Sequence, residues 1–388
     1  MLKEPQYIIE ALFFVDIYQF NYQNNLMNIE LEKQAAPEKK NFDFVNTIRC
    51  ISMMGIVFEH SHIVQAPMYN TLGATITEAG VIQFFKFSTV AFFLIGGFLI
   101  NHKFQEYSAG QYLKNRFKNT VRPWLFWMFV FIAITMLDRW VAHIKGSDRD
   151  LMFSDFSAYI SDFVYRILFF SPYWFILNFL ICITLLLIFK KYLYKYWLGI
   201  FFGIISLVYS VNLYFNWFET THTSALFGFV FYLWLGVYLN KYYTAVMTFV
   251  KDTRWTIWVL LLVLTFALGI WESVYLIKLG SKDAYNTLRI SNIIYSFVGF
   301  GVLLKIGNIK ILDRLKPRET TFGIYLVHSI VIERVLPLIF QPLKLDVQHY
   351  NVWENTALLI LRFIIAYSIS YLLSALIIKT KMKWTVGQ

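Results

Sequence analysis

Cysteine is scarce: the 388 residues contain only Cys50 and Cys182, both inside apolar stretches. Neither a disulfide framework nor a metal site is therefore indicated, and both thiols are read as inert core residues. Charge is scarce as well. Charged residues make up 15% of the chain against 58% hydrophobic ones, and mean hydropathy is +0.53, more apolar surface than a soluble core can hide. No internal repeat is evident, which weakens inverted-repeat transporter architectures. The first 26 residues are mixed and acidic rather than basic then apolar, so no cleavable signal peptide is expected.

What the chain has in quantity is apolar and aromatic. Aromatic residues reach 20%, with 12 Trp and 25 Tyr, which suits many helix ends at the headgroup level. Crossing the hydrocarbon takes about 20 mostly apolar residues in a helix. Ten stretches qualify: 42–62, 81–101, 121–142, 173–189, 197–215, 224–239, 255–277, 290–306, 322–340 and 357–378, the sixth being the shortest. The expected fold is all-α and polytopic, with about ten transmembrane helices integral to the cell membrane.

The net charge of +11 and pI near 9.3 would suit nucleic-acid binding only if the basic residues formed a patch. They are scattered among short loops, and the positive-inside pattern explains them better. One set of alternate loops carries 22 lysines and arginines and the other seven, which places both termini in the cytoplasm. Residues 1–40 read as an N-terminal cytoplasmic tail with a polar stretch that fits disorder, and translation is expected to start at Met27. Residues 41–379 form the transmembrane domain and 380–388 a short cytoplasmic tail. In 151–169, Phe153, Phe156, Ile160, Phe163, Val164, Ile167 and Leu168 recur at helical spacing opposite Asp155, Ser157, Ser161 and Asp162. This predicts an amphipathic helix on the outer surface, which either tidies a connection or covers a substrate.

An ionisable residue inside a span costs roughly 2.5 kcal/mol or more, so each asks for a reason. The first stretch holds two. Arg49 and His60 are eleven positions apart, which returns them to within about 20° of one face and separates them by ~16 Å along it. A cation near one leaflet and an imidazole nearer the other suit an anionic donor and a general base. The same spacing also fits a guanidinium that snorkels to the interface and a core histidine bonded to a neighbouring helix.

Five motifs now stand in order: NFDFVNTIRCISMMGIVFEH, AFFLIGGFLI, KNRFKNTVRPWLFW, PYWFILNFL and YLVHSIV. Together they resemble the integral-membrane acyltransferase-3 family, over about 41–378. That family's first helix carries Arg, ten residues, then His; its second an FF-x-x-SGF-type run; and later come a WF-L and a YL-x-H motif. Two departures are visible. Gly96 stands where a small hydroxyl residue is usual, and in place of Arg-x-x-Arg, the residues Arg116, Lys118 and Arg122 are spread before Pro123. This form is closer to the branch of polysaccharide-intercellular-adhesin and fucose O-acetylase-like membrane proteins.

The resemblance implies a membrane-bound O-acyltransferase. It would use acyl-coenzyme A, acetyl-coenzyme A above all, as co-substrate with no bound cofactor, and its acceptor would be a saccharide or glycolipid hydroxyl. Arg49, Arg116, Lys118 and Arg122 would hold the donor's phosphates on the cytoplasmic side, and His60 would take the hydroxyl proton. Glu59, Trp174, His328 and Glu333 are further candidate cavity residues. Glu59 points about 100° from His60, His328 fits packing as well as a cavity, and Trp174 and Phe175 fit interfacial anchors. Glu333 and Arg334 fit a mutual or interhelical ion pair, and Glu272 is similarly placed in the seventh stretch. Membrane lipids are expected partners and nucleic acid is not. A transporter or exporter of a polysaccharide or lipid-linked intermediate shares the many helices and intramembrane charges. A scaffold would leave those charges without a role.

Overall fold

Long apolar runs satisfy their own backbone in lipid by coiling, and every regular element among the described residues is helical. A computed structural model describes residues 42–62, 71–145, 155–218, 221, 223–345 and 351–388. The tail 1–40, with Met27, and Phe153 lie outside them. In chain order the helices are α1 Phe44–His60, α2 Leu72–Phe85, α3 Ser88–Glu106, α4 Ala109–Arg116, α5 Arg122–Ile144, α6 Phe156–Phe170, α7 Trp174–Ile188 and α8 Tyr196–Phe215. They continue with α9 Val230–Lys241, α10 Tyr243–Asp252, α11 Trp255–Lys278, α12 Ile290–Ile306, α13 Lys310–Asp313, α14 Pro317–Ile330, α15 Leu336–Phe340 and α16 Val352–Ile378. Two π-helical turns interrupt the rods, Phe117–Val121 between α4 and α5 and Val331–Val335 between α14 and α15; a 3₁₀ turn, Lys381–Val386, follows α16.

Each of the ten apolar stretches overlaps a helix, but 81–101 runs across the break between α2 and α3, and 224–239 begins in turns before α9. Six helical runs are long and apolar enough to cross a membrane unaided: Leu72–Phe104, Ala109–Ile144, Tyr196–Phe215, Trp255–Lys278, Pro317–Phe340 and Val352–Ile378. A seventh is added if α6 and α7, bent by 68° at their junction, count as one span. With many apolar helices of this length, the chain is a multi-pass membrane protein. The run Ala109–Ile144 has 36 residues, about 54 Å of helix against a hydrocarbon layer of about 30 Å. Hydropathy alone sees only its apolar part, which is why the expected boundary at 121 falls inside a longer rod.

The helix α1 has 17 residues and packs against α2, α3, α12, α14 and α16. This central position shelters it, and a sheltered helix is where polar groups inside a membrane survive. The lipid-facing surface lies elsewhere. Ile200, Ile204 and Leu207 on α8, Leu260, Val263 and Leu264 on α11, and Ile364 and Leu372 on α16 are exposed, as helices solvated by hydrocarbon require. The helices α3 and α9 approach with backbones nearly touching. A Cβ on Gly97 would lie 2.0 Å from the Leu233 carbonyl oxygen, and one on Gly236 2.1 Å from that of Leu94, the close approach that small residues permit between membrane helices.

A buried polar knot joins α2, α11 and α12. Arg289 donates to the Gly269 carbonyl (2.6 Å), to Gln83 Oε1 (2.7 Å) and to Ser273, and Gln83 donates to Asn292 (3.0 Å). Glu272 accepts from the Ile290 and Ser291 amides at 3.0 and 2.8 Å, so its carboxylate caps the start of α12.

Candidate functional site

The face of α1 that carries Arg49 continues one and two turns on with Met53 and Ile56, and all three line a cavity of about 320 Å³. Arg116, the last residue of α4, and Arg318, in the first turn of α14, line it as well. Arg318 and Arg116 are the charges that bear on Arg49. Arg116 is held by its Nε–H donating to the Tyr112 hydroxyl at 2.7 Å. The adjoining π-helical turn adds Asn119 and Thr120 to the wall; such turns in helices often mark functional sites. Three guanidiniums thus converge, and no Asp or Glu is among the described residues that line the cavity. A cluster of this kind favours an anion with several oxygen acceptors. Much of the remaining lining is apolar, including Phe92, Ile95, Gly96, Phe175 and Phe179.

His60 lies one turn beyond Ile56 and is not part of this lining. Its ring centroid is 5.3 Å from that of His328, which is fully buried on α14. His328 Nδ1 lies 2.6 Å from the Tyr325 carbonyl oxygen. A carbonyl only accepts, so Nδ1 carries the proton and Nε2 of the neutral ring is an acceptor. That Nε2 is buried with no hydrogen-bond partner among the described residues. Tyr325 joins the two regions: its side chain lines the arginine cavity, while its ring lies 5.6 Å from that of His328. Its hydroxyl donates to the Pro172 carbonyl, and the Tyr173 hydroxyl to that of Leu326 at 2.9 Å, fixing the α14 turn against the start of α7.

The remaining expected residues are placed as follows. Glu59 pairs with Lys86, which is buried at the α2–α3 junction, and so faces away from His60. Lys118 is exposed, and Arg122 lies over the Trp384 ring at 4.1 Å; neither lines the cavity. Trp174 is buried against Phe229, at 5.3 Å, while its neighbour Phe175 forms the cavity wall. Glu333 lines a separate groove with Asp162, Arg166 and Arg334. Arg334 bonds across to Asp138 at 2.9 Å and Thr135 at 2.6 Å on α5. Just beyond α1, His62 Nε2 lies 3.7 Å from a Glu78 carboxylate oxygen. Among the described residues no group of three His, Cys, Asp or Glu is placed to hold a metal ion.

Sequence reasoning missed Arg318, Asn119, Thr120 and Gln388 as cavity residues. Arg318 alone leaves a local trace: a cation follows Pro317 in a first turn, where the helix dipole favours acids.

The sequence of residues 42–379 matches the family described as an acyltransferase domain. No curated protein and no solved structure matches the chain.

Proposed function

The chain belongs to the acyltransferase-3 family, and from that premise we propose that it moves an acetyl group from acetyl-coenzyme A to a hydroxyl of a cell-surface or lipid-linked saccharide. It is an acyltransferase for groups other than aminoacyl groups. The reading places about ten spans with both termini in the cytoplasm of a cell whose plasma membrane holds the enzyme.

The observation that carries it is the convergence of Arg49, Arg116 and Arg318 on one cavity whose remaining lining is largely apolar. By this reading the phosphates of the donor lie at the arginines, where each charge-assisted bond is about twice as strong as a neutral one. The pantetheine arm runs inward along the Arg49, Met53, Ile56 face, toward His60 and the acceptor. A volume of about 320 Å³ is at the small end for ligand sites, which suits an arm inside and a nucleotide at the mouth.

His60 takes the proton of the sugar hydroxyl as its oxygen bonds to the thioester carbonyl carbon; the carbon–sulfur bond then breaks and the thiolate of coenzyme A takes up a proton. Base catalysis of this kind contributes about 10²- to 10⁴-fold. His328, whose ring lies 5.3 Å from that of His60, acts through it as a positioning residue. The test is mass spectrometry of surface and lipid-linked glycans from cells with and without the gene. The expected result is a species heavier by one acetyl group only where the gene is present; identical spectra would overturn the proposal.

A further inference from the structure

The residues after α16 do not trail away from the bundle. Thr380 caps the 3₁₀ turn, its hydroxyl accepting from the Met382 amide at 3.0 Å. The Trp384 ring sits under Arg122 at 4.1 Å and against Phe126 at 5.4 Å. Trp127 Nε1–H donates to the Thr385 carbonyl at 2.9 Å, and Thr385 and Val386 are almost wholly buried. Gly387 then turns with φ +77°, and a Cβ there would meet the Asn119 carbonyl oxygen at 2.9 Å and a Phe322 ring carbon at 2.7 Å. The strap is thus seated directly on the π-helical turn that supplies Asn119 and Thr120 to the arginine cavity. Gln388 closes the path: its amide donates to the Glu319 carbonyl at 3.1 Å, and both Gly387 and Gln388 line the cavity beside Arg49, Arg116 and Arg318.

Ordering a segment costs about 1–2 kcal/mol per residue in backbone entropy alone, and here a run with two lysines, Lys381 and Lys383, is fixed by contacts from α5, α14 and the π-helical turn. We propose that 381–388 is a wall of the donor site and that Gln388 contacts the nucleotide portion of the acyl donor, an inference that rests on the acyl-coenzyme A reading above. A Gln side chain pairs a donor and an acceptor with the edge of an adenine. The second amide N–H and the carbonyl oxygen of Gln388 remain for that edge, while the guanidiniums take the phosphates. Arg122, expected at the phosphates from the sequence, contributes instead by holding Trp384 and with it the strap.

The test is alkylation of purified, full-length Gln388→Cys protein by a maleimide, with coenzyme A or pantetheine as probe, each used throughout as its S-methyl thioether so that neither carries a thiol to consume the reagent. Cys50 and Cys182 are buried, so the introduced thiol reports alone. Binding of coenzyme A is measured in the same sample, in Arg49→Ala and in the unsubstituted protein. The expected result is that coenzyme A slows alkylation severalfold over the concentration range in which it binds, whereas pantetheine, which lacks the nucleotide, does not. Saturable, Arg49-dependent binding of coenzyme A with no protection overturns the strap proposal and leaves the donor reading standing. Protection by pantetheine equal to that by coenzyme A overturns the nucleotide contact. No binding to the Gln388→Cys protein or to the unsubstituted protein overturns both the strap and the donor reading; loss of binding in Gln388→Cys alone supports the contact.

Discussion

Arg49 and His60 share a face of α1 but meet different company: the first looks into a cavity with two more arginines, the second touches the ring of a buried histidine. In the proposed reaction, phosphate binding and proton transfer would thus be divided between two positions eleven residues apart on one helix. Arg318 is predicted to belong to the first task although it is far from Arg49 in sequence. Removing a hydrogen bond to a charged group costs about 1.5–3 kcal/mol, so Arg318→Ala is expected to raise KM for acetyl-coenzyme A about tenfold or more. Steady-state kinetics in membranes with the acceptor held saturating would show this, and an unchanged KM would remove Arg318 from the site. The spacing of Arg49 and His60, and the 100° offset of Glu59 that carries it to Lys86, follow from helix geometry and were legible in the sequence. Arg318 and Gln388 were not, because only tertiary packing brings α14 and the strap to α1.

At the scale of helices, the pairing of α3 with α9 holds the apolar wall of the cavity, since Gly96 and Gly97 are adjacent on α3. Replacing glycine by alanine within a helix ordinarily stabilises it by roughly 0.5–1 kcal/mol. Gly97→Ala is expected to do the opposite, because the methyl would overlap the Leu233 carbonyl, and overpacking costs typically about 1–3 kcal/mol. Thermal melting in detergent checks the sign: a lower midpoint agrees, a higher one does not. The ten apolar stretches overlap the long helices because hydrophobic length is the strongest signal in such a chain, but they caught only the end of α2 and none of α4, α10 or α13. The π-helical turns at Phe117–Val121 and Val331–Val335 left no such trace, since an extra residue in one turn changes no residue's polarity. The short α1, α9 and α12 reflect burial among other helices rather than contact with lipid along a full span.

At the scale of the molecule, the basic residues are unevenly spread along the chain. One set of alternate loops between the expected spans carries 22 basic residues against seven, and Arg116 and Arg318 belong to that set while also lining the cavity. Screening shortens to about 10 Å at 0.1 M salt, so raising ionic strength should weaken coenzyme A binding, and dephospho-coenzyme A, with fewer charges, should lose less. Calorimetric titration at several salt concentrations checks this, and equal slopes for the two ligands would speak against a phosphate-binding arginine cluster. Basic loop composition gives an expected orientation; it could not separate cations that fix topology from those that reach a cavity, a distinction that depends on whether a side chain lines the cavity, as Arg116 does, or lies over an indole, as Arg122 does.

The most direct measurement is transfer of radiolabelled acetyl from acetyl-coenzyme A to endogenous glycan in isolated membranes, compared for the unsubstituted protein, Arg49→Ala and His60→Ala at equal expression. The account predicts that label reaches glycan with the unsubstituted protein. In His60→Ala the rate falls about 10²- to 10⁴-fold with KM for the donor little changed, and in Arg49→Ala KM for the donor rises. Undiminished transfer by His60→Ala would contradict it.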